Sequence, residues 1–411
     1  MAMNTANNAH EINVLSPEHV DNPYPAYRAL RENDPVHWSE FVQGWLLTRY
    51  EDVKKGLEDP RFSANRTHLF AQHQLRGHDP AIIKDYLRLT ASMIVMKDGQ
   101  DHDRLRAQED RALCPAHIDG WAPTLRRIMN ELLDRVQKQH KMELVADISE
   151  PLPSLLLTDM FGIPAEDREA FQRWADDATA FFAVTPGDVE NTARRANEGL
   201  VRLEQYITAI IAERRKKPGR DLVSLFIDSE GHGNITTEEL VANSVHMLIV
   251  GHVTSIAQFS NGVYELVKRP ETMKLLREKP ELYPSAVEEV IRYSPAVHFT
   301  HRIASEDIRI RDKTIKKGQL AFFGLAAANR DPRIFADPDT FDITRPVGRH
   351  LSFGAGIHNC AGSGLGRREL EQGYELLFKR MPELRFDEDD PPRRRANGLT
   401  FRGFARLPLR F

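Results

Sequence analysis

Only two cysteines, Cys114 and Cys360, occur in the 411 residues. A disulfide framework and a cysteine-rich zinc site are therefore excluded, and a reducing compartment is expected. A charge excess is also missing. Lys and Arg number 56 against 60 Asp and Glu, a net charge of −4, so no global positive field draws the molecule to nucleic acid or acidic lipid, and any basic partner site is local. Long apolar runs are absent. The longest, 245–259, contains His246, His252, Thr254 and Ser255 and is too short and too polar to cross a bilayer. Residues 1–12 carry no basic stretch followed by an apolar one, so neither a signal peptide nor a membrane anchor is read there, and a cytoplasmic protein without a membrane partner is expected.

What is present is a globular balance, 41% hydrophobic and 28% charged, enough for a sizeable core. A helix opens near Pro23-Tyr24-Pro25, and Val36-His37-Trp38 and Gly44-Trp45-Leu46-Leu47-Thr48 read as short strands. From 104 to about 291 the apolar positions recur at three- and four-residue spacing, as at Leu125, Ile128, Met129, Leu132 and Leu133, which predicts a long α-rich body. Residues 308–310 and 314–315 alternate like strands, Lys317-Gly318 supplies a turn, and 399–401 and 407–411 read as β. The charged stretch 388–395 is expected to be a solvated loop. No linker divides the chain, so residues 1–20 are expected as a mobile tail and 21–411 as one mainly α domain with small β-sheets, including a smaller N-terminal β region.

Thr236 and Glu239 form a capping-box pattern at the head of a helix that should run to Arg269, where Pro270 stops it. At 1.5 Å per residue it spans roughly 50 Å, the width of a globule this size. Its middle holds Gly251, His252, Thr254 and Ser255, unusual for a core element.

Phe353-Gly354-Ala355-Gly356-Ile357-His358-Asn359-Cys360-Ala361-Gly362 precedes another helix. Small residues flanking one cysteine permit close approach of a large planar group. Backbone N–H groups and the dipole of the following helix would lower the pKa of the thiol, the environment of a haem-iron thiolate. The segment resembles the haem signature of cytochrome P450, Phe-Gly-x-Gly-x-His-x-Cys-x-Gly, at every specified position. A chance match is on the order of 10⁻⁶. A c-type haem attachment fails because no second cysteine is present, and a dinucleotide fingerprint fails because Asn359 stands at its third glycine.

The resemblance extends over nearly the whole chain and implies the P450 fold of soluble bacterial members. It implies haem b ligated by Cys360, with Phe353 and Gly354 in the loop against it and propionates held by His102, Arg106, Arg302 and His358. It assigns Glu289, Arg292 and Arg345 to a structural ion network. On the crossing helix, Val250-Gly251-His252-Val253-Thr254-Ser255 corresponds to the family's Ala-Gly-x-(Asp or Glu)-Thr-(Thr or Ser), with Gly251 making room for O2, Thr254 and Ser255 as hydroxyls and His252 as a substitute for the acid replaced by Val253. Phe70, Val95, Phe182, Met247, Val250, Val297, Phe299 and Phe401 are the expected substrate contacts. Cys114 is left as a structural thiol.

The activity implied is monooxygenation of a medium-sized secondary metabolite by a monomer. Its electrons come from NAD(P)H through a separate reductase and a ferredoxin or flavodoxin, which would dock on basic residues near the cysteine: Arg104, Arg111, Arg367, Arg368, Lys379 and Arg380. The loss of the acid at Val253 keeps a non-hydroxylating oxidation open, namely coupling, nitration or peroxide-driven chemistry. A haem-thiolate sensor without turnover is the alternative of a different class.

Overall fold

The computed structural model describes residues 12–69, 75, 77–181, 188–230, 235–346, 348–395 and 399–411. Its axis is the crossing helix Thr237–Val267, headed by the capping box: the Thr236 hydroxyl accepts from the Glu239 N–H while the Glu239 carboxylate accepts from the Thr236 N–H. Leu240, Val245, Leu248, Phe259, Val263 and Leu266 are almost wholly buried, because helices Pro151–Phe161, Arg168–Ala180, Val189–Lys216 and Tyr283–Tyr293 surround it. By length and composition this helix could cross a membrane, but 72% of its most apolar window is buried inside the fold.

Helix Pro115–Gln137 buries Leu125, Ile128, Met129, Leu132 and Leu133 on one stripe, as their spacing predicts. It lies beside helix Ser363–Arg380, which follows the cysteine loop.

The β region draws on both halves of the chain. One five-stranded sheet runs in the order Val36–Ser39, Gly44–Leu47, Leu320–Gly324, Phe299–Ala304, Phe62–Ser63. Gly44–Leu47 pairs parallel with Leu320–Gly324, a pairing that needs a long crossover and leaves no local turn signature. Leu320–Gly324 is buried at every position, so it lacks the alternation that marks a half-exposed strand. Ile308–Ile310 and Lys313–Ile315 form a hairpin turning at Arg311, whose φ is +54°.

Two boundaries differ from expectation. Ile12 and Val14 are each 5% exposed in a cluster with Tyr27, Leu30 and Phe299, and Pro17–Asp21 is a short helix capped by Ser16, so 12–21 folds onto the sheet instead of trailing as a tail. In the charged stretch 388–395, Arg393–Arg394 forms a strand against Phe404–Arg406. The Arg394 guanidinium lies 4.1 Å from the Phe404 ring centroid and 5.3 Å from that of Tyr264. Stacking on aromatic faces draws this arginine inward.

Candidate active site

The cysteine loop is a folded turn built on two left-handed glycines, Gly354 at φ +76° and Gly356 at φ +71°. A Cβ at Gly356 would lie 2.5 Å from the Leu57 carbonyl oxygen, so glycine is required both by conformation and by the close approach of another backbone. The Cys360 N–H closes the turn on the Phe353 carbonyl at 2.8 Å, and the Gly354 N–H donates to Leu351 at 2.8 Å.

Cys360 retains open surface although it lies deep in the fold, because it faces a cavity of about 360 Å³. Burial pushes its thiol up, against the N–H of Gly362 and the guanidiniums of Arg106 and Arg367, which favour the thiolate. The expected lowering is therefore outweighed by desolvation in the protein alone. Bonding to a metal ion would remove the proton outright.

The crossing helix supplies another wall through Met247, Val250, Gly251, Thr254 and Ser255, positions that share one face at helical spacing. Val250 is 42% exposed, an aliphatic side chain with open space before it. A Cβ at Gly251 would stand 3.3 Å from Leu157 Cδ1, so the glycine fits tightly beneath helix 151–161 while its open side faces the cavity. The Thr254 hydroxyl donates to the Val250 carbonyl at 2.7 Å. His252 corrects the sequence reading. Roughly 100° round the helix from its neighbours, it is 1% exposed outside the cavity lining, with Nδ1 3.1 Å from Ser154 Oγ and Nε2 3.4 Å from Asp176 Oδ1.

At the cavity's edge the structure gathers two arginines and two histidines. His102, Arg106, Arg302 and His358 line it, and the His102 and His358 rings meet at 4.4 Å. Arg106 donates to the Asn359 carbonyl, tying helix Gly99–Ala112 to the cysteine loop. Burial lowers Arg302 to about 10 and Arg66 to about 9, with Asp98 the opposing carboxylate at both. Burial likewise takes His358 to about 4. His358 Nε2 is 3.9 Å from Asp98 Oδ1, too far for a hydrogen bond, and His102 Nε2, His358 Nε2 and Arg66 Nε are buried without hydrogen-bond partners. Arg106 Nε pairs with Asp110 at 2.7 Å, which leaves Arg302 and Arg66, both opposed by Asp98, as the buried charges that an entering anion would compensate. A planar dicarboxylate such as haem matches both the charge and the glycine-cleared loop.

Of the apolar residues expected at a substrate, Val95 and Val297 join Met247 and Val250 on the cavity. Phe299 does not: it is fully buried against Tyr27, ring centroids 5.5 Å apart. Phe401 is absent from the lining and forms a β-bridge with Val297. Phe70 and Phe182 lie outside the described residues.

Behind the site, Glu289 and Arg292 meet on helix 283–293 through 2.6 and 2.7 Å bonds, with Arg345 Nε 3.5 Å from Glu289 Oε2. Of the six basic residues expected to form a docking patch, Arg104, Arg367, Arg368 and Arg380 pair with Glu239, Glu288, Asp119 and Asp134. They do not form a bare positive face.

Sequence reasoning missed four polar residues at or beside the cavity: Arg66, Glu109, His246 and Glu369. Glu109 follows His102 and Arg106 at seven and three residues on the same helix face, a spacing that could have found it. Burial lifts its carboxyl to about 7 and lowers His246, 4.0 Å away, to about 4. Arg66, in an irregular segment, carries no such signal.

Residues 67–408 match the family described as Cytochrome P450. The chain is 35% identical over 401 residues, 96% of its length and 98% of the relative's, to the biotin biosynthesis cytochrome P450 of Bacillus subtilis (strain 168). Among solved structures, P450BioI in complex with hexadec-9Z-enoic acid ligated acyl carrier protein aligns with a TM-score of 0.88 at 34% identity, covering 96% of this chain and 100% of that one. CalO2 aligns with a TM-score of 0.89 at 30% identity, covering 98% and 99%. With a cysteine loop, a crossing helix and a relationship that spans nearly the full length, the chain belongs to the cytochrome P450 family.

Proposed function

We propose that this chain inserts one oxygen atom of O2 into a medium-sized, largely apolar metabolite, using haem b ligated by Cys360. The observation that carries the reading is that one cavity joins the Cys360 sulfur, the Gly251–Thr254 face and the group formed by Arg106, Arg302, His102 and His358. When bound, haem supplies the reductive activation of O2, driven by two electrons. His102, Arg106, Arg302 and His358 would hold its propionates, Arg302 through the fork geometry that suits a carboxylate. Gly251 leaves space on the cavity side, and Val95, Leu157, Met247, Val250 and Val297 exclude water and hold apolar carbon near the sulfur. Electrons come from NAD(P)H through a separate reductase and a ferredoxin or flavodoxin, and the enzyme works as a cytoplasmic monomer.

The test is a haem-loaded protein reduced under carbon monoxide. A red-shifted thiolate–carbonyl Soret band is expected, and it should be lost in Cys360→Ser. Spectral titration with fatty acids, steroids and macrolactones, followed by NADH-driven turnover, then identifies the substrate class. A protein that keeps the band but oxidises none of these, with ferredoxin and reductase present, would be a haem-thiolate sensor. Val253 favours one second reading, an oxidation other than hydroxylation: coupling, nitration or peroxide-driven chemistry that does not draw protons through an acid at this position.

A further inference from the structure

The walls that hold substrate carbon are apolar, so a single polar side chain among them decides how a substrate is oriented. Several polar groups on the cavity are already taken by the protein. Thr254 donates to the Val250 carbonyl at 2.7 Å, Gln258 Nε2 to that of Ser294 at 3.2 Å, and Ser352 to that of Ile291 at 2.7 Å. His246 is different. It lines the cavity one helical turn before Val250, is 9% exposed, and buries Nδ1 without a hydrogen-bond partner. Glu109 Oε1 lies 4.0 Å from Nδ1, beyond hydrogen-bond reach. The helix is fixed at this level, because Asn243 accepts from the Ile94 N–H at 2.7 Å and donates to the Ser92 carbonyl at 3.2 Å. His246 therefore keeps a constant position relative to the Ile94–Val95 wall.

We propose that His246 is a specificity-determining residue, donating from Nε2 to a carbonyl oxygen of a ketone, ester or lactone carried by the substrate. The inference rests on the monooxygenase reading above and names the polar group that the otherwise apolar substrate bears. A neutral imidazole has one donor and one acceptor nitrogen. Nδ1 is enclosed by protein with no acceptor in reach, and a buried N–H left orphaned is rarer than an under-used acceptor. The ring proton therefore belongs on Nε2, the nitrogen left to face the cavity that His246 lines. Burial lowers His246 to about 4, and the nearby charges of His358 and Arg66 act in the same direction. At neutral pH the ring is thus uncharged, a donor suited to a neutral carbonyl. Glu109, lifted by burial to about 7, backs the ring on its Nδ1 side and is a positioning residue.

Benzophenone and diphenylmethane are a matched pair of probes, apolar and of one shape, in which a carbonyl replaces a methylene. Each is titrated into the full haem-loaded chain, and the spectral shift gives its Kd. His246→Leu should weaken benzophenone at least about fivefold relative to diphenylmethane, the loss of one buried hydrogen bond, with diphenylmethane affinity and haem content unchanged. His246→Gln keeps a donor and should recover most of the lost ratio, a rescue that a packing role would not show. The leucine variant removes an unpartnered buried nitrogen, so its apo-protein should unfold in urea no earlier than wild type. A ratio of the two Kd values that His246→Leu does not change, equal losses for both probes, a fall in haem content, or a wild type that fails to bind benzophenone overturns the proposal. A wild type that binds the ketone through His246 but oxidises it in no assay with NADH, ferredoxin and reductase overturns the monooxygenase reading, while the contact at His246 stands.

Discussion

Arg345 Nε stands 3.5 Å from Glu289 Oε2, the oxygen that Arg292 Nε already holds at 2.6 Å. Two guanidiniums thus share one carboxylate that is almost removed from water. Arg292 also donates to the carbonyls of Asn329 and Pro338, each at 2.9 Å, so helix 283–293 is fastened to the segment that leads into the cysteine loop. Removing either member of the inner pair strands a buried charge, at a cost of about 3–5 kcal/mol. Glu289→Gln and Arg292→Met should each lose that much in urea unfolding and take up little haem. A loss below about 1 kcal/mol would mean that the network is better solvated than its burial indicates.

Gly356 gives a sharper test of the loop. Gly356→Ala must accommodate a left-handed φ and a Cβ 2.5 Å from the Leu57 oxygen, and neither backbone can yield cheaply. The thiolate–carbonyl band should fall several-fold per mole of folded protein. Gly120→Ala is the contrast: it lies in helix 115–137 with open space around the new methyl. It should stabilise the protein by up to about 1 kcal/mol.

Much of this site was legible because its determinants are local. The left-handed glycines around Cys360, the Thr236–Glu239 cap and the three-to-four spacing of the crossing helix each act within a few residues. The strands Leu320–Gly324 and Phe299–Ala304 were not read, since one is uniformly buried and their pairing is set by residues far along the chain. Helix periodicity places His252 about 100° from Gly251, but only the packing of helices 151–161 and 168–180 decides that this direction leads out of the cavity. Glu369 escaped for a related reason, because a glutamate on a helix rich in Arg and Glu looks solvated until the fold turns its face inward.

Arg302 should act with opposite sign on the empty and the loaded protein. Buried, and with Asp98 as its one opposing carboxylate, it is held at about 10, so the fold alone disfavours its charge. Arg302→Gln removes that penalty while deleting a fork suited to a carboxylate. The apo-protein should be at least as stable to urea as wild type, whereas haem titration should show affinity weakened at least about tenfold. An apo-protein destabilised by the substitution, with unchanged haem affinity, would assign Arg302 to the scaffold instead.

Acid should unpick a second anchor of the cysteine loop. Burial alone would raise the Glu288 carboxyl, but His350 Nε2 at 3.0 Å and Arg367 Nε at 2.5 Å hold it down at about 2, against an ordinary 4.5. A folded-state value below the unfolded one means that the unfolded chain binds more protons between these limits. The stabilisation is therefore complete above 4.5 and is lost as pH falls toward 2. Glu288→Gln lacks this titration, so its deficit relative to wild type should shrink steadily between about pH 5 and about pH 3 in urea unfolding of the apo-protein. A deficit that stays constant across that window would show that the carboxylate's partners in the folded protein are replaced by equivalent ones in the unfolded chain, and that Glu288 holds His350 and Arg367 by shape alone.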